Sequence, residues 1–260
     1  METSKNQESF GSAGQSGAAA LLEEVYRRFR RELTAYVARL VVRQEVAEEL
    51  VQQAAVKWIE APNPPADIEG ARAWLFRVST NLAIDYRRRH STWRETILLE
   101  TRERAVQDEA FLEKTRQLAG SPEMKAIARE HLTVCFACTL RNLPVTQSAT
   151  LLLVEVNEFT LKETANILEL GFGQVKHALQ SARNALREKY GATCQLVTKE
   201  GVCHQCTELE RHFNGREDDP LEGTSRDIEA RIQILRERKE SSLGPWHRMM
   251  MRIVDELLQD

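Results

Sequence analysis

Four thiols come in two pairs of equal spacing, Cys135-Phe-Ala-Cys138 and Cys203-His-Gln-Cys206. Two C-x-x-C pairs supply four thiolates, the donor set of a closed tetrahedral zinc site. The pairs lie far apart in sequence, so a shared zinc would clip the C-terminal part of the chain onto a distant helix. Sites of this type bind with about 10–16 kcal/mol in small zinc peptides, enough to fix such a segment. Cys194, Cys203, Cys206 and His212 form a rival donor set confined to the C-terminal part. A redox-sensing dithiol uses the same residues. Cysteines packed as small apolar groups need no ligand at all. A thiol oxidoreductase would require a βαβ context around one pair, and no strand pattern flanks either.

A second constellation suits recognition rather than covalent chemistry. Lys176, Gln180, Arg183 and Arg187 recur at helical intervals, and Val175, Leu179, Ala182 and Leu186 recur beside them on the neighbouring face. That pattern predicts a helix with one buried face and one basic face. Upstream, Thr160 stands three residues before Glu163, the spacing of a capping box. A helix of about eight residues is expected after it, with Leu161, Ala165 and Leu168 inward. It must stop near Glu169-Leu170-Gly171, with Gly171 as the natural turn residue. Helix, tight turn and amphipathic basic helix make the helix-turn-helix arrangement, whose second helix fits the major groove of DNA. An ordinary amphipathic pair with a solvated basic face has the same spacing.

The elements that must position these residues are helical. The chain has 260 residues, 42% of them hydrophobic and 29% charged, with few aromatics and no clear alternating runs. It reads as all-α, with two helical domains joined by a linker and a helical C-terminal extension. A net charge of −3 does not mark a nucleic-acid binder, so any basic surface must be local. The N-terminus shows no signal-peptide pattern, and the densest apolar run, Leu151 to Val156, is too short to span a bilayer. A cytoplasmic protein without a membrane segment is expected, and its five cysteines are then thiols or metal ligands rather than structural disulfides.

Residues 1–18 lack periodicity and read as a disordered leader. From Leu21 to Val42 a helix carries Val25, Phe29, Leu33, Val37 and Leu40 as its inner stripe. Its arginines form a solvated face balanced by Glu23, Glu24 and Glu32. Residues 45–60 form a second helix with acidic residues in its first turns, where the helix dipole favours anions. A third helix runs from Glu69 to Arg89, with Trp74, Val78, Leu82 and Asp85 on one side. Arg87, Arg88 and Arg89 at its end suit the negative helix terminus and equally suit phosphate contact. Residues 91–122 are charged and weakly patterned and read as a linker. Residues 123–143 form a helix with Leu132, Phe136 and Leu140 inward. In the C-terminal stretch, Thr224 and Asp227 suggest a cap before Ile228, Ile232 and Leu235, and Trp246, Met250, Ile253 and Leu257 mark a last helix. These stripes pack on the body, form a partner surface, or act as an inhibitory lid.

AEELVQQAAVKWIE followed by ARAWLFRVSTNLAIDYRRR resembles region 2 of the extracytoplasmic-function class of bacterial RNA polymerase sigma factors. LRNLP with the helix-turn-helix of residues 160–189 resembles region 4 of the same family. Two motif blocks in the right order are more specific than either alone, and they cover roughly residues 21–190. On this resemblance, residues 19–90 are region 2, 91–122 the linker, 123–190 region 4, and 191–260 a cysteine-containing extension beyond the usual family length.

The resemblance implies a non-enzymatic sigma factor that directs core RNA polymerase to promoter DNA and initiates DNA-templated transcription. Glu48, Glu49, Gln52 and Gln53 then occupy the polymerase-binding surface. Arg77, Asn81, Tyr86, Arg87, Arg88 and Arg89 face the melted minus-ten element. Gln174, Lys176, His177, Gln180 and Arg183 read the minus-thirty-five element. The turn departs from the family, with Glu169, Gly171 and Gln174 where Gly, Ser and Thr are usual, which changes the sequence read rather than the ability to bind. Cys135, Cys138, Cys203 and Cys206 would hold zinc and tune transcription regulation by metal or redox state. An anti-sigma factor or self-inhibition by the extension is a further expected control. The alternative is a helix-turn-helix DNA-binding regulator that never joins polymerase.

Overall fold

Every described element is helical in the computed structural model, which describes residues 8–90, 97–105, 107–110, 112–113, 117, 136–137, 139–193 and 228–259. The first three helices are α1 (Glu8–Val41), α2 (Gln44–Ile59) and α3 (Ile68–Arg89). Their apolar rows meet in one bundle: Val25, Leu33, Val37 and Leu40 of α1, Leu50, Val51 and Trp58 of α2, and Leu75, Phe76 and Ala83 of α3 are all buried. Tyr36 lies 5.1 Å from Phe76, centroid to centroid, and its hydroxyl is 2.8 Å from Thr80 Oγ1. Burial pushes the Tyr36 phenol well above its ordinary value, so it stays neutral in the core.

Three expectations for this bundle need correction. Helix α1 begins at Glu8, so residues 8–18 are helical rather than a disordered leader. The Trp58 indole N–H donates to the Ala18 carbonyl at 3.3 Å, which ties that segment to α2. Glu32 is not on a solvated face. It is buried and pairs with Arg72 at 2.8 Å. In α3 the buried row is Leu75, Phe76, Ser79, Thr80 and Ala83, one step round the helix from Trp74, Val78 and Leu82, which are only half-buried. The start of α3 is fixed by Asp67, whose carboxylate accepts the Gly70 amide at 2.8 Å.

Helix α4 (Ile97–Ala105) lies within the linker stretch and buries Ile97 and Ala105. After Phe136 and Leu140, both fully buried, come α5 (Val145–Leu151), a π turn (Leu152–Val156), α6 (Leu161–Leu168) and α7 (Phe172–Thr193). The π turn closes with the Asn157 amide donating to the Leu152 carbonyl at 2.9 Å. The halves of the chain share a core, since one cluster of buried apolar side chains runs from α1 through Phe136, Leu140, Leu151 and Ile167 to Leu186 and Leu235.

The last two helices, α8 (Ile228–Glu237) and α9 (Pro245–Gln259), pack on the body. The buried Arg39 guanidinium donates to the carbonyls of Arg238 at 2.8 Å and Lys239 at 3.3 Å, and burial lowers its pKa to about 10. His247 Nε2 is 3.0 Å from the Val42 carbonyl, and Arg43 pairs with Asp255. On the other side, Met250 and Ile253 cluster with Ala105, and Arg252 bonds Asp108 at 2.6 Å. No described helix is long and apolar enough to cross a membrane.

Candidate nucleic-acid and protein interface

Helix α6 starts as the spacing predicts. Thr160 Oγ1 accepts the Glu163 amide at 3.2 Å, and the Glu163 carboxylate accepts the Thr160 amide at 2.7 Å. The Thr160 hydroxyl, donating to the same carboxylate at 2.6 Å, and then the Thr160 amide hold the Glu163 carboxyl below the usual range. Thr164, Ala165 and Ile167 are buried, while Leu161 and Leu168 are only half-buried. The helix ends where expected, but Glu169 rather than Gly171 is its turn residue: Glu169 adopts the left-handed conformation, with φ 54° and ψ 41°. An acidic residue therefore takes a conformation that costs about 1 kcal/mol relative to glycine. Gly171 instead precedes α7, and its amide donates to Gln174 Oε1 at 2.8 Å. Gly171 offers no capping side chain, so Gln174 supplies half of a capping box alone.

Helix α7 buries Val175, Ala182 and Leu186, with Leu179 half-buried, as expected. Lys176, His177, Gln180 and Arg187 are exposed. The row is partly tied down. Arg183 pairs with Glu155 of the π turn, Arg187 with Glu229 of α8 at 2.7 Å, and Gln180 with Asn184 at 3.0 Å. Lys176 has no ion pair among the described residues, and it is the cation of this face most open to an external anion.

On α3 the expected nucleic-acid residues divide. Asn81, Arg88 and Arg89 are exposed. Arg88 bonds Asp85 at 3.0 Å. Tyr86 stacks on His90 with centroids 4.1 Å apart, leaving a two-ring platform at the end of the helix. Arg77 is partly exposed and stands 3.7 Å from the Glu169 carboxylate, linking α3 to the turn before α7. Arg87 is the correction. It is 9% exposed, and its guanidinium donates to the carbonyls of Arg141 at 2.8 Å and Leu143 at 2.9 Å. Burial and then the Arg141 charge lower its pKa to about 9. In this arrangement it serves the scaffold and cannot reach a phosphate.

Glu48, Glu49, Gln52 and Gln53 are all exposed along α2. Gln44 donates to Glu48 Oε1 at 2.9 Å, which steadies the first carboxylate. Val56 and Ile59 continue this surface with 52% and 73% exposure, an apolar end to an acidic face that the sequence reading missed. Their signal was available as apolar residues off the buried row of Leu50, Val51, Ala54 and Trp58. Cys135, Cys138, Cys203 and Cys206 lie outside the described residues, as does Cys194.

Residues 25–92, which hold the C-terminal half of α1, all of α2 and α3, and the acidic face, match the family Sigma-70 region 2. Similarity extends beyond it. The RNA polymerase sigma factor SigZ of Bacillus subtilis (strain 168) is 24% identical over 194 residues, covering 74% of this chain and 94% of the relative. The ECF RNA polymerase sigma factor SigM of the same organism is 23% identical over 170 residues, 65% of this chain and 94% of the relative. Both relatives are named as RNA polymerase sigma factors. The region 2 match includes Glu48 to Gln53 and Arg77 to Arg89, so both candidate surfaces of the N-terminal bundle fall inside it.

Proposed function

We propose that this protein is a cytoplasmic sigma factor of the extracytoplasmic-function class, which joins core RNA polymerase and selects its promoters. The observation that carries the reading is the exposed face Glu48, Glu49, Gln52 and Gln53 on a helix inside the region 2 match. Four polar side chains on one open face, two of them acidic, suit docking on a partner of opposite charge. On α3, Asn81 and the Tyr86–His90 stack offer polar and stacking groups to bases pulled from a duplex, each stack contributing about 1–3 kcal/mol. Arg88 and Arg89 beside them suit the backbone. Helices α6 and α7 act as a helix-turn-helix in which Lys176, His177 and Gln180 meet the upstream element. Arg183 and Gln174, engaged with Glu155 and Gly171, contribute once those bonds are exchanged for DNA.

Run-off transcription with core polymerase on a genomic DNA library tests this directly. New start sites are expected with the full chain and none with the Glu48→Lys, Glu49→Lys double variant, which should fold normally. DNA binding without new start sites would instead indicate a helix-turn-helix regulator that does not join polymerase.

The regulatory part of the proposal rests on sequence spacing. Cys135, Cys138, Cys203 and Cys206 are the set proposed to hold zinc, and metal analysis of the purified chain checks it. Loss of bound zinc in a Cys203→Ser, Cys206→Ser variant is expected. Zinc retained in that variant would remove these two residues from the site. An anti-sigma partner or self-inhibition by the extension would act on the same DNA and polymerase faces.

A further inference from the structure

Phe172 opens the first turn of α7 and is 56% exposed. It is one of three large apolar side chains so exposed among the described residues, and the other two lie on the α2 face. A phenylalanine left in water forgoes the burial that the fold gives Phe76, Phe136 and Phe159.

Its surroundings point outward. In helical projection Phe172 lies on the strip of Lys176 and Arg183, at the border of the buried row that begins with Val175. Gly171 and Gly173 flank it, so no neighbouring side chain covers the ring, and a Cβ added at Gly173 would meet nothing within 4 Å. Gln174, the polar residue closest to the helix start, has its carbonyl oxygen committed to the Gly171 amide at 2.8 Å. The first turn of α7 therefore presents a bare apolar ring between two glycines, with Lys176, which has no ion pair among the described residues, one turn on.

In the major groove one base-edge feature is apolar, the 5-methyl group of thymine, and phenylalanine is among the side chains that contact it. The lysine beside the ring suits the flanking phosphate. We propose that Phe172 is a specificity-determining residue that selects thymine in the upstream promoter element through its methyl group. This rests on α7 entering the major groove, as the proposed function requires.

The test uses the full chain with core polymerase. Duplexes selected from a random library give the bound element, and each thymine in it is then replaced by deoxyuridine, which lacks only the methyl. At one position the replacement should weaken wild-type binding by about fourfold, the contribution of one buried methyl group. Phe172→Ala should bind the thymine duplex about as weakly and show no response to deoxyuridine there. Phe172→Leu should keep part of the discrimination. Equal wild-type binding to thymine and deoxyuridine duplexes at every position would overturn the assignment while leaving the promoter role intact. So would a Phe172→Ala variant that loses affinity for core polymerase without DNA but keeps its sequence preference, since the ring would then be a protein contact. Selection of no duplex at all would overturn both this proposal and the promoter role.

Discussion

The Arg87 guanidinium donates to the Leu143 carbonyl at 2.9 Å, joining the end of α3 to the segment that leads into α5. The same nitrogen also serves the Arg141 carbonyl, so one cation closes two buried acceptors some fifty residues away in sequence. Hydrogen bonds to a charged group contribute about 1.5–3 kcal/mol, and removing the cation leaves both carbonyls without it. Arg87→Ala should therefore lower stability by about 2–4 kcal/mol in urea unfolding. Arg88→Ala, one residue on and exposed, should stay within about 0.5 kcal/mol and act on DNA affinity alone. Equal stability of the two variants would return Arg87 to the phosphate-contacting set.

Glu32 is the second internal tie. Its carboxylate accepts from Arg72 at 2.8 Å and from Asn157 Nδ2 at 3.1 Å, with Lys239 at 4.0 Å. Arg72 in turn lies 4.0 Å from the Phe159 ring centroid and donates to the Asn157 carbonyl at 2.9 Å. One buried carboxylate thus holds α1, α3, the loop before α6 and the turn after α8. Glu32→Ala should cost about 3–5 kcal/mol, because it strands the Arg72 charge. Glu32→Gln, which can still accept both bonds, should cost clearly less. Thermal unfolding of both variants beside wild type reads the difference, and an equal loss would assign the effect to packing rather than charge.

These two residues show where sequence reading reaches and where it stops. Rows such as Val25, Leu33, Val37 and Leu40, or Val175, Ala182 and Leu186, are written in local spacing, and the structure buries them as expected. The Thr160–Glu163 box is equally local. Glu32 looked like a surface acid because its partners lie 40 and 125 residues away, and Arg87 looked like one of three equal cations because its acceptors are backbone carbonyls that no side-chain pattern marks. The turn before α7 misled for a different reason. Glycine has the lowest cost in the left-handed region, yet Glu169 sits there, with its carboxylate beside Arg77. Phe172 shares the three-and-four spacing of Val175 and Leu179, yet at the first turn of α7 it is exposed.

Arg187 and Glu229 form an exposed pair at 2.7 Å, which links the basic face of α7 to the C-terminal extension. An exposed pair of this kind contributes little to stability, about 0–1 kcal/mol, but it neutralises a cation on the face proposed to meet DNA. Glu229→Gln should raise affinity for the selected promoter duplex and steepen its salt dependence by about one unit of log K against log salt. Lys176→Ala should do the reverse, flattening the slope by about one unit while weakening all duplexes alike. Fluorescence titrations across a salt series measure both. A Glu229→Gln slope equal to that of wild type would mean that Arg187 stays clear of the phosphates even when released.

His247 gives the extension a pH dependence. The ring is buried at the α1–α2 turn with Nε2 3.0 Å from the Val42 carbonyl, and burial lowers its pKa to about 4. The Val42 carbonyl and Glu45 oppose that shift, while Arg43 and Arg248 add to it. The folded state therefore holds the imidazole neutral, donating from Nε2, at a pH where the unfolded chain already protonates it. Because the folded pKa lies below the unfolded one, the stabilisation is complete above about pH 6.5 and is lost as pH falls from there toward 4. The loss over that window should be on the order of 3 kcal/mol. His247→Gln keeps a donor for Val42 and removes the titration. Its unfolding midpoint should vary less between pH 7 and pH 4.5 than that of wild type. Parallel pH profiles for the two proteins would assign the acid sensitivity to the carboxylates instead.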